Sequence, residues 1–338
     1  MVFQEKMKAI VFDRFGNPAE VLQVRDLPMP QPGPGEVRVR MTYSPINPSD
    51  LSVVRGQYGR LPALPATPGF EGAGVVEATG GGFLGNRRLG RRVAVLNGKG
   101  GNWQEYVIVP AKQVVPVPHQ VVDEQAATFF VNPASALVMI QYVLKVPRGA
   151  WLLQTAAGSA LGRMVIRLGR HLGFRTINVV RRREQGQELL QAGGDAVICS
   201  CEESIEEWVQ KITGDQGVLY ALDAVGGATG MAVVKSLAAG GRLLLYGTLS
   251  GEPIQLDPRA LMTGSRKIEG FWLSNWVSRQ SLVTMMLLFR RINKLLAAGI
   301  LTSDVGATFT MEDIQSAVVE AQKPGRHGKV LLRLNDGA

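Results

Sequence analysis

Cysteine and histidine are scarce in this chain of 338 residues, which holds two cysteines, Cys199 and Cys201, and three histidines, His119, His171 and His327. A disulfide between the cysteines would have to span a single intervening residue, a poor geometry for the bond, and two thiolates cannot close a structural zinc site. Both read as plain thiols in a reducing compartment. The histidines are scattered and read as surface or helix residues rather than as a catalytic base. No serine elbow and no histidine–cysteine pairing points to a hydrolase. Long apolar runs are also missing, since none approaches the roughly 20 residues that cross a bilayer. Residues 1–6 lack the apolar core and cleavage-type segment of a secretory signal. The expectation is a soluble, cytoplasmic protein with no membrane partner.

What is present describes an ordinary globular enzyme-sized chain. Hydrophobic residues make up 46% and charged residues 19%, which excludes a disordered chain. The length suits about two domains. The 40 glycines lie singly or in pairs between apolar runs, as in punctuated α/β chains rather than low-complexity ones, and no internal repeat is visible. The net charge of +9 reflects many arginines, in pairs such as Arg87-Arg88, Arg91-Arg92 and Arg290-Arg291, and in the triplet Arg181-Arg182-Arg183. Such a balance suits phosphorylated cofactors or other anionic ligands. No basic stripe interleaved with aromatics and no nucleic-acid module occurs, so nucleic acid is not expected as a partner.

Two rhythms divide the chain. In the first third, strand-like runs near 8–12, 36–41, 74–78, 92–96 and 106–109 are broken by glycine and proline, which suggests a compact β-barrel-like domain. Pro-Gly-Pro-Gly at 32–35 and the glycines at 80–82 read as turns. From about residue 128 strands alternate with helices, the pattern of a parallel sheet. Strands are expected at 151–155, 176–180, 196–199, 219–223, 242–246 and 267–272. Leu161, Met164, Val165, Leu168 and Leu172 form a helical stripe, and further helices are expected at 204–212 and 229–238. A long helix should run through residue 295. The tail, with a helix near 312–321 and a strand at 329–334, shows no further βαβ rhythm and is expected to return to the first domain. The fold class is therefore α/β: a β-rich domain over 1–127 and 303–338, with a doubly wound nucleotide-binding sheet over 128–302 inserted into it.

The turn Ala157-Gly158-Ser159-Ala160-Leu161-Gly162 sits between strand and helix, where a dinucleotide's pyrophosphate needs close backbone approach and oriented N–H groups. In G-x-G-x-x-G register its three positions are Ala157, Ser159 and Gly162, a loose match that a ligand-free turn would also give. The end of the next strand adds to it. An NAD site usually carries an acid there, whereas this strand ends Val179-Val180-Arg181-Arg182-Arg183. Guanidinium groups pair with a phosphate in planar bidentate geometry, so NADPH is the expected cofactor. An arginine-rich helix start facing solvent is the plain alternative.

With these features in place, the chain resembles the medium-chain dehydrogenases/reductases, and among them the mitochondrial-type 2-enoyl thioester reductases. The resemblance is carried by Asn47-Pro48-Ser49-Asp50, Gly56-Gln57-Tyr58-Gly59, Asn132-Pro133, the strand from Arg175 to Arg181 and Phe271-Trp272-Leu273-Ser274-Asn275-Trp276. It implies a GroES-like catalytic domain, a Rossmann cofactor domain and a homodimer joined through the cofactor domains. It places NADPH against Gly158, Ser159, Ala160 and Leu161 at the turn, and Arg181, Arg182 and Arg183 at the adenosine phosphate. Tyr246, Gly247, Thr248, Leu249, Phe271, Trp272, Leu273, Ser274 and Lys329 would contact the cofactor too, with Asn132 near the nicotinamide. Asn47, Tyr58 and Trp272 fall on the substrate side, and Tyr58 matches the tyrosine regarded as proton donor.

Zinc-dependent members of that superfamily use a cysteine, a histidine–glutamate pair and a second cysteine. Here Asn47, Phe70 before Glu71, and Asn132 stand at those positions, and the four-cysteine structural lobe is absent, so no zinc is expected. The implied activity is hydride transfer from NADPH to the β-carbon of an enoyl thioester or related enone. An NADPH:quinone oxidoreductase is the alternative, and a non-catalytic NADPH-binding structural or sensor protein is a further one.

Overall fold

The structure is a computed structural model and describes residues 5–335. The chain divides into two compact units, Met1–Val131 with Phe289–Ala338, and Asn132–Leu288.

The first unit is built of short strands whose residues alternate between core and solvent. In β3 (Glu36–Pro45) Val37, Val39 and Met41 are fully buried while Arg38 and Arg40 face outward, the period of two that puts one face of a strand in the core. β1 (Lys6–Val11) and β2 (Gln23–Pro28) form an antiparallel pair. β3 pairs with β4 (Glu71–Thr79), β4 with β5 (Arg92–Leu96), and β5 with β7 (Val114–Pro116), all antiparallel. β6 (Tyr106–Pro110) pairs with the first half of β3. The core beneath them contains Ile10, Phe12, Val37, Val39, Val95 and Trp103.

The second unit is a six-stranded, wholly parallel sheet. Its strands are β8 (Trp151–Gln154), β9 (Arg175–Val180), β10 (Ala196–Cys199), β11 (Val218–Asp223), β12 (Leu237–Leu245) and β13 (Lys267–Gly270), in the order β10-β9-β8-β11-β12-β13. This is the Rossmann order, with the chain reversing direction across the sheet between β8 and β11. The strands read as continuous apolar runs because helices cover both faces of a parallel sheet. The helix Ala160–Leu172 begins at Ser159, whose hydroxyl accepts from Gly162 N, and ends at Gly173 in the left-handed region, where glycine pays no Cβ penalty. Its buried stripe contains Leu161, Met164, Val165 and Leu168.

Two details differ from the sequence reading. The helix expected over 229–238 is Gly227–Lys235, and β12 begins at Leu237 with an irregular register against β11, so residues 237 and 238 belong to the strand. The tail does hold a βαβ unit: β14 (Val305–Thr310), the helix Ile314–Gln322 and β15 (Lys329–Arg333), with β14 parallel to β15. β14 gives little sequence signal because Val-Gly-Ala-Thr-Phe-Thr carries a glycine and its side chains are exposed or only partly buried. β15 pairs antiparallel with β3, which returns the tail to the first unit. No helix among the described residues is long and apolar enough to cross a membrane.

Candidate functional site

In a parallel sheet every strand ends on the same edge, so the turns after β8, β9, β11, β12 and β13 share one rim. The residues singled out in the second unit fall mostly on that rim. Gly158, Ser159, Ala160 and Leu161 follow β8; Arg181, Arg182 and Arg183 follow β9; Tyr246, Gly247, Thr248 and Leu249 follow β12; Phe271, Trp272, Leu273 and Ser274 follow β13. Ligands of open α/β sheets bind at this edge, where the strand order reverses.

The turn after β8 is shaped by what lies beneath it. A Cβ at Gly162 would come within 2.5 Å of the Ala157 carbonyl oxygen, so only glycine lets the helix pack this close to the strand end. Gln154, fully buried at the end of β8, donates from Nε2 to Gly162 O at 3.0 Å and to Asn178 Oδ1 at 2.8 Å. Asn178 in turn donates to Thr176 Oγ1 at 3.0 Å and Ala196 O at 2.9 Å. The amide nitrogens of Gln154 and Asn178 both find acceptors, which ties the strand ends together, while Gln154 Oε1 is buried without a partner among the described residues. Ser159 itself is exposed, and the N–H groups of Ala160 and Leu161 lie in the first helical turn, where no intrahelical acceptor exists. That is a donor set suited to a pyrophosphate.

Asp223 organises the neighbouring turn. Its carboxylate accepts from Thr155 Oγ1 at 2.5 Å, Val225 N at 2.9 Å and Gly226 N at 2.9 Å. A Cβ at Gly247 would meet the Ala224 carbonyl oxygen at 2.8 Å, so the loop after β12 also passes unusually close to this turn. The Tyr246 hydroxyl is buried without a hydrogen-bond partner among the described residues, and burial, helped by the Asp223 charge, pushes its pKa well up. A buried phenol without a partner is a group that an added hydrogen-bond acceptor or donor would satisfy.

The arginine triplet is divided. Arg181 and Arg182 are exposed and make no side-chain hydrogen bond or ion pair among the described residues. Arg183 is held by Glu202 at 2.6 Å and Glu203 at 3.4 Å, and that pairing raises its pKa. Two of the three guanidinium groups are thus available to an anion.

In the first unit Asn47, Asp50, Glu71 and Lys329 form a buried polar cluster, each at most 3% exposed. Asn47 precedes the helix Pro48–Val54, whose first residue, a proline, needs no N–H there. Asn47 donates from Nδ2 to Glu71 Oε1 at 3.0 Å, and its Oδ1 accepts from Lys329 Nζ. The second oxygen of Glu71 accepts from Phe130 N at 3.1 Å and Val131 N at 2.8 Å. Asp50 accepts from Asn47 N at 2.8 Å and Phe70 N at 3.1 Å. Burial lowers the Lys329 pKa, while Glu71 and Asp50 oppose the shift. Tyr58 packs its ring against Phe70, 5.3 Å between centroids and 37° between planes.

These contacts bear on a metal. The positions where a zinc-dependent relative would place its ligands carry an amide and a carboxylate joined to a lysine, with no thiolate or imidazole, and an ammonium group already supplies the positive charge. Tetrahedral zinc wants nitrogen and sulfur donors, which this cluster does not offer. Among the described residues the one group of three Cys, His, Asp or Glu ligand atoms close enough to share an ion is Cys199, Cys201 and Glu202, at the end of β10.

The sequence reading did not assign roles to Gln154, Asn178, Thr155, Asp223, Asp50 or Glu71. The signal for the first two was a polar residue inside an otherwise apolar strand, which is rarely placed without a partner. The others depend on residues far away in sequence.

Family models match two stretches of the chain: one described as the alcohol dehydrogenase GroES-like domain over residues 33–119, and one described as zinc-binding dehydrogenase over residues 160–290. A human mitochondrial enoyl-[acyl-carrier-protein] reductase is 32% identical over 333 residues, spanning 97% of this chain and 89% of that protein. The chain belongs to the medium-chain dehydrogenase/reductase family. Two solved structures share the fold of this family member along nearly its whole length. A candidate NADPH:quinone reductase from Bacillus thuringiensis superposes with a TM-score of 0.92 at 34% identity, covering 97% of this chain and 99% of that one. A mycobacterial protein in complex with NADPH superposes with a TM-score of 0.87 at 29% identity, covering 97% and 99%. The GroES-like unit and the Rossmann unit are those of an oxidoreductase.

Proposed function

We propose that this oxidoreductase is an NADPH-dependent, zinc-independent reductase acting on the activated double bond of a 2-enoyl thioester or similar enone. The observation that carries the reading is the 32% identity with human mitochondrial enoyl reductase over 97% of this chain, in a sequence that has Tyr58 and has arginines rather than an acid directly after β9.

NADPH fits the rim described above. Gly158, Ser159, Ala160 and Leu161 would hold its pyrophosphate, Arg181 and Arg182 its adenosine phosphate, and Tyr246 to Leu249 and Phe271 to Ser274 the remainder, with Asn132 and Lys329 as further contacts. Bound there, the cofactor supplies a hydride. The protein's own work lies in charge and protons. As the double bond is reduced, negative charge develops on the carbonyl oxygen, and a positioned hydrogen-bond donor stabilises it. Tyr58 is that donor and the source of the proton delivered to the α-carbon. A phenol hydroxyl can donate a hydrogen bond to that oxygen and then give up its proton. The Asn47–Glu71–Lys329 cluster stiffens the first unit around Asn47, and Asn47 and Trp272 would be substrate contacts.

A second reading, an NADPH:quinone oxidoreductase, is favoured by the likeness to the Bacillus thuringiensis structure. Turnover with crotonyl thioester and with a naphthoquinone, each with NADPH and with NADH, separates them. Thioester turnover with NADPH supports the enoyl reading, quinone turnover alone supports the second, and no turnover leaves a binding protein. The absence of a required zinc is tested by dialysis against a strong chelator, after which activity should be unchanged. The same reading includes a homodimer joined through the Rossmann unit. Supporting it, β13 is an edge strand with one side unpaired among the described residues, and Leu282, Val283, Met286 and Leu287 are more than half exposed. Light scattering giving a monomer mass would rule the dimer out.

A further inference from the structure

The turn that carries Arg181 is clasped by the end of the neighbouring strand. β10 ends at Cys199, and the chain folds back so that Glu202 N and Glu203 N reach Cys199 O at 3.0 and 2.9 Å. This turn brings Cys201 over Cys199, with 3.2 Å between their sulfur atoms. Both thiols point at one acceptor, the carbonyl oxygen of Arg181, at 3.5 Å from Cys199 and 2.8 Å from Cys201. Ser200 between them donates from N and Oγ to Val180 O at 2.9 and 3.2 Å. Glu203 accepts from Cys199 N at 2.7 Å and, with Glu202, holds Arg183. Segment 199–203 therefore grips 180–183 through thiols, backbone and carboxylates together.

We propose that Cys199 and Cys201 are a reversible modification site: hydrogen peroxide oxidises them to an intrachain disulfide, and closing that bond loosens the Arg181–Arg183 turn and weakens binding of a 2′-phosphorylated dinucleotide. The consequence for binding rests on the NADPH reading; the thiol chemistry does not.

The two sulfurs divide the chemistry. Cys201 is exposed, while Cys199 is buried and its pKa is raised by that burial, so the sulfur that attacks the peroxide first is that of Cys201. Its sulfur takes one peroxide oxygen, the O–O bond breaks, and water leaves, giving a sulfenic acid. The Cys199 sulfur then attacks the Cys201 sulfur, the S–O bond breaks, and hydroxide departs as water with the Cys199 proton. The thiols lose two hydrogens and two electrons, and the peroxide is reduced to water. A low fraction of Cys199 thiolate is offset by holding the partner in contact, which makes the second step effectively unimolecular.

Closure changes the clasp in two ways. A disulfide has no S–H, so the Arg181 carbonyl loses both thiol donors. The sulfurs must also draw in to about 2.0 Å, which pulls residues 199–201 against each other and away from the arginine turn.

The test treats the whole protein with hydrogen peroxide. Intact mass should fall by two hydrogens per chain with no covalent dimer, free thiols should fall from two to none, and dithiothreitol should restore both. Trypsin should cut after Arg181 to Arg183 faster in the oxidised protein, a readout that needs no cofactor. The NADPH dissociation constant should rise about fivefold on oxidation while that of NADH stays put. Cys201→Ser and Cys199→Ser, whose hydroxyls can still donate to the Arg181 carbonyl, should each abolish all of these responses and leave the reduced-state affinity unchanged. A gain of oxygen in place of the loss of two hydrogens overturns the proposal, as does a disulfide that leaves tryptic cutting unchanged. If the reduced protein binds NADPH and NADH alike, the cofactor reading has failed, and the mass and trypsin measurements still decide the thiol site.

Discussion

Lys329 donates a hydrogen bond to the side-chain oxygen of Asn47 across 282 residues of sequence, joining the last strand to the start of a helix near the front of the chain. The ammonium group is buried among two carboxylates, Glu71 and Asp50, and an amide. Charge inside a protein is tolerated when every partner is present and costly when one is removed.

Lys329→Met keeps the aliphatic stem and removes the charge, leaving Glu71 and Asp50 buried without their cation. The expected loss of stability is about 3–5 kcal/mol, read as a fall in the urea midpoint. Adding Glu71→Gln to that variant should recover part of the loss, because one uncompensated charge then disappears. A midpoint unmoved by Lys329→Met would mean the cluster is not held by charge.

Asp50 gives the cluster a pH signature. Burial pushes its carboxyl up to about 7, with the Glu71 charge adding to the rise, while the backbone N–H groups of Asn47 and Phe70 and the Lys329 charge act against it. An unfolded aspartate titrates near about 3.9, so the folded form binds this proton more tightly. The stability the proton confers is fully present below about pH 4 and is lost as pH rises through 7. Asp50→Asn should flatten that decline. Unfolding free energies measured every half unit between pH 4 and 8 for both proteins check it; parallel curves would refute it.

Arg181 and Arg183 should behave differently despite their adjacency. Arg181→Ala removes an uncommitted guanidinium and should weaken NADPH about tenfold or more, since a charge-assisted contact is worth about 1.5–3 kcal/mol. NADH affinity should hardly change. Arg183→Ala should cost less NADPH affinity, because that side chain is already engaged by Glu202 and Glu203. Titrating both cofactors against both variants, followed by nicotinamide fluorescence, gives the comparison; equal losses of NADPH and NADH would sink the phosphate assignment.

Tyr58→Phe preserves the ring that packs on Phe70 and removes only the hydroxyl. With an enoyl thioester, kcat should fall about 10²- to 10⁴-fold while NADPH affinity holds, the range for losing a positioned acid. With a quinone the fall should be much smaller, because its own oxygens take up charge and water can protonate them. A variant as fast as the parent on the thioester would remove Tyr58 from the mechanism.

Local pattern carried a large share of this architecture. The alternation of Val37, Val39 and Met41 with arginines, the helical stripe from Leu161 to Leu168, and the arginines after Val180 are each set within a few residues, so the sequence by itself determined the β-rich first unit, the parallel Rossmann sheet and the character of the rim above it. Only the tertiary structure decided which polar groups meet. Asn47 and Lys329, Gln154 and Asn178, and Thr155 and Asp223 pair across folded strands, where burial in a low-dielectric interior makes an unpaired amide or charge costly enough to enforce the match. The thiols show the same division on a smaller scale. An interval of one residue says nothing in favour of contact between Cys199 and Cys201, yet the backbone turn closed onto Cys199 O brings their sulfurs to 3.2 Å and aims both at Arg181. Sequence periodicity fixes the face a residue takes; the turn and sheet that follow fix its neighbour.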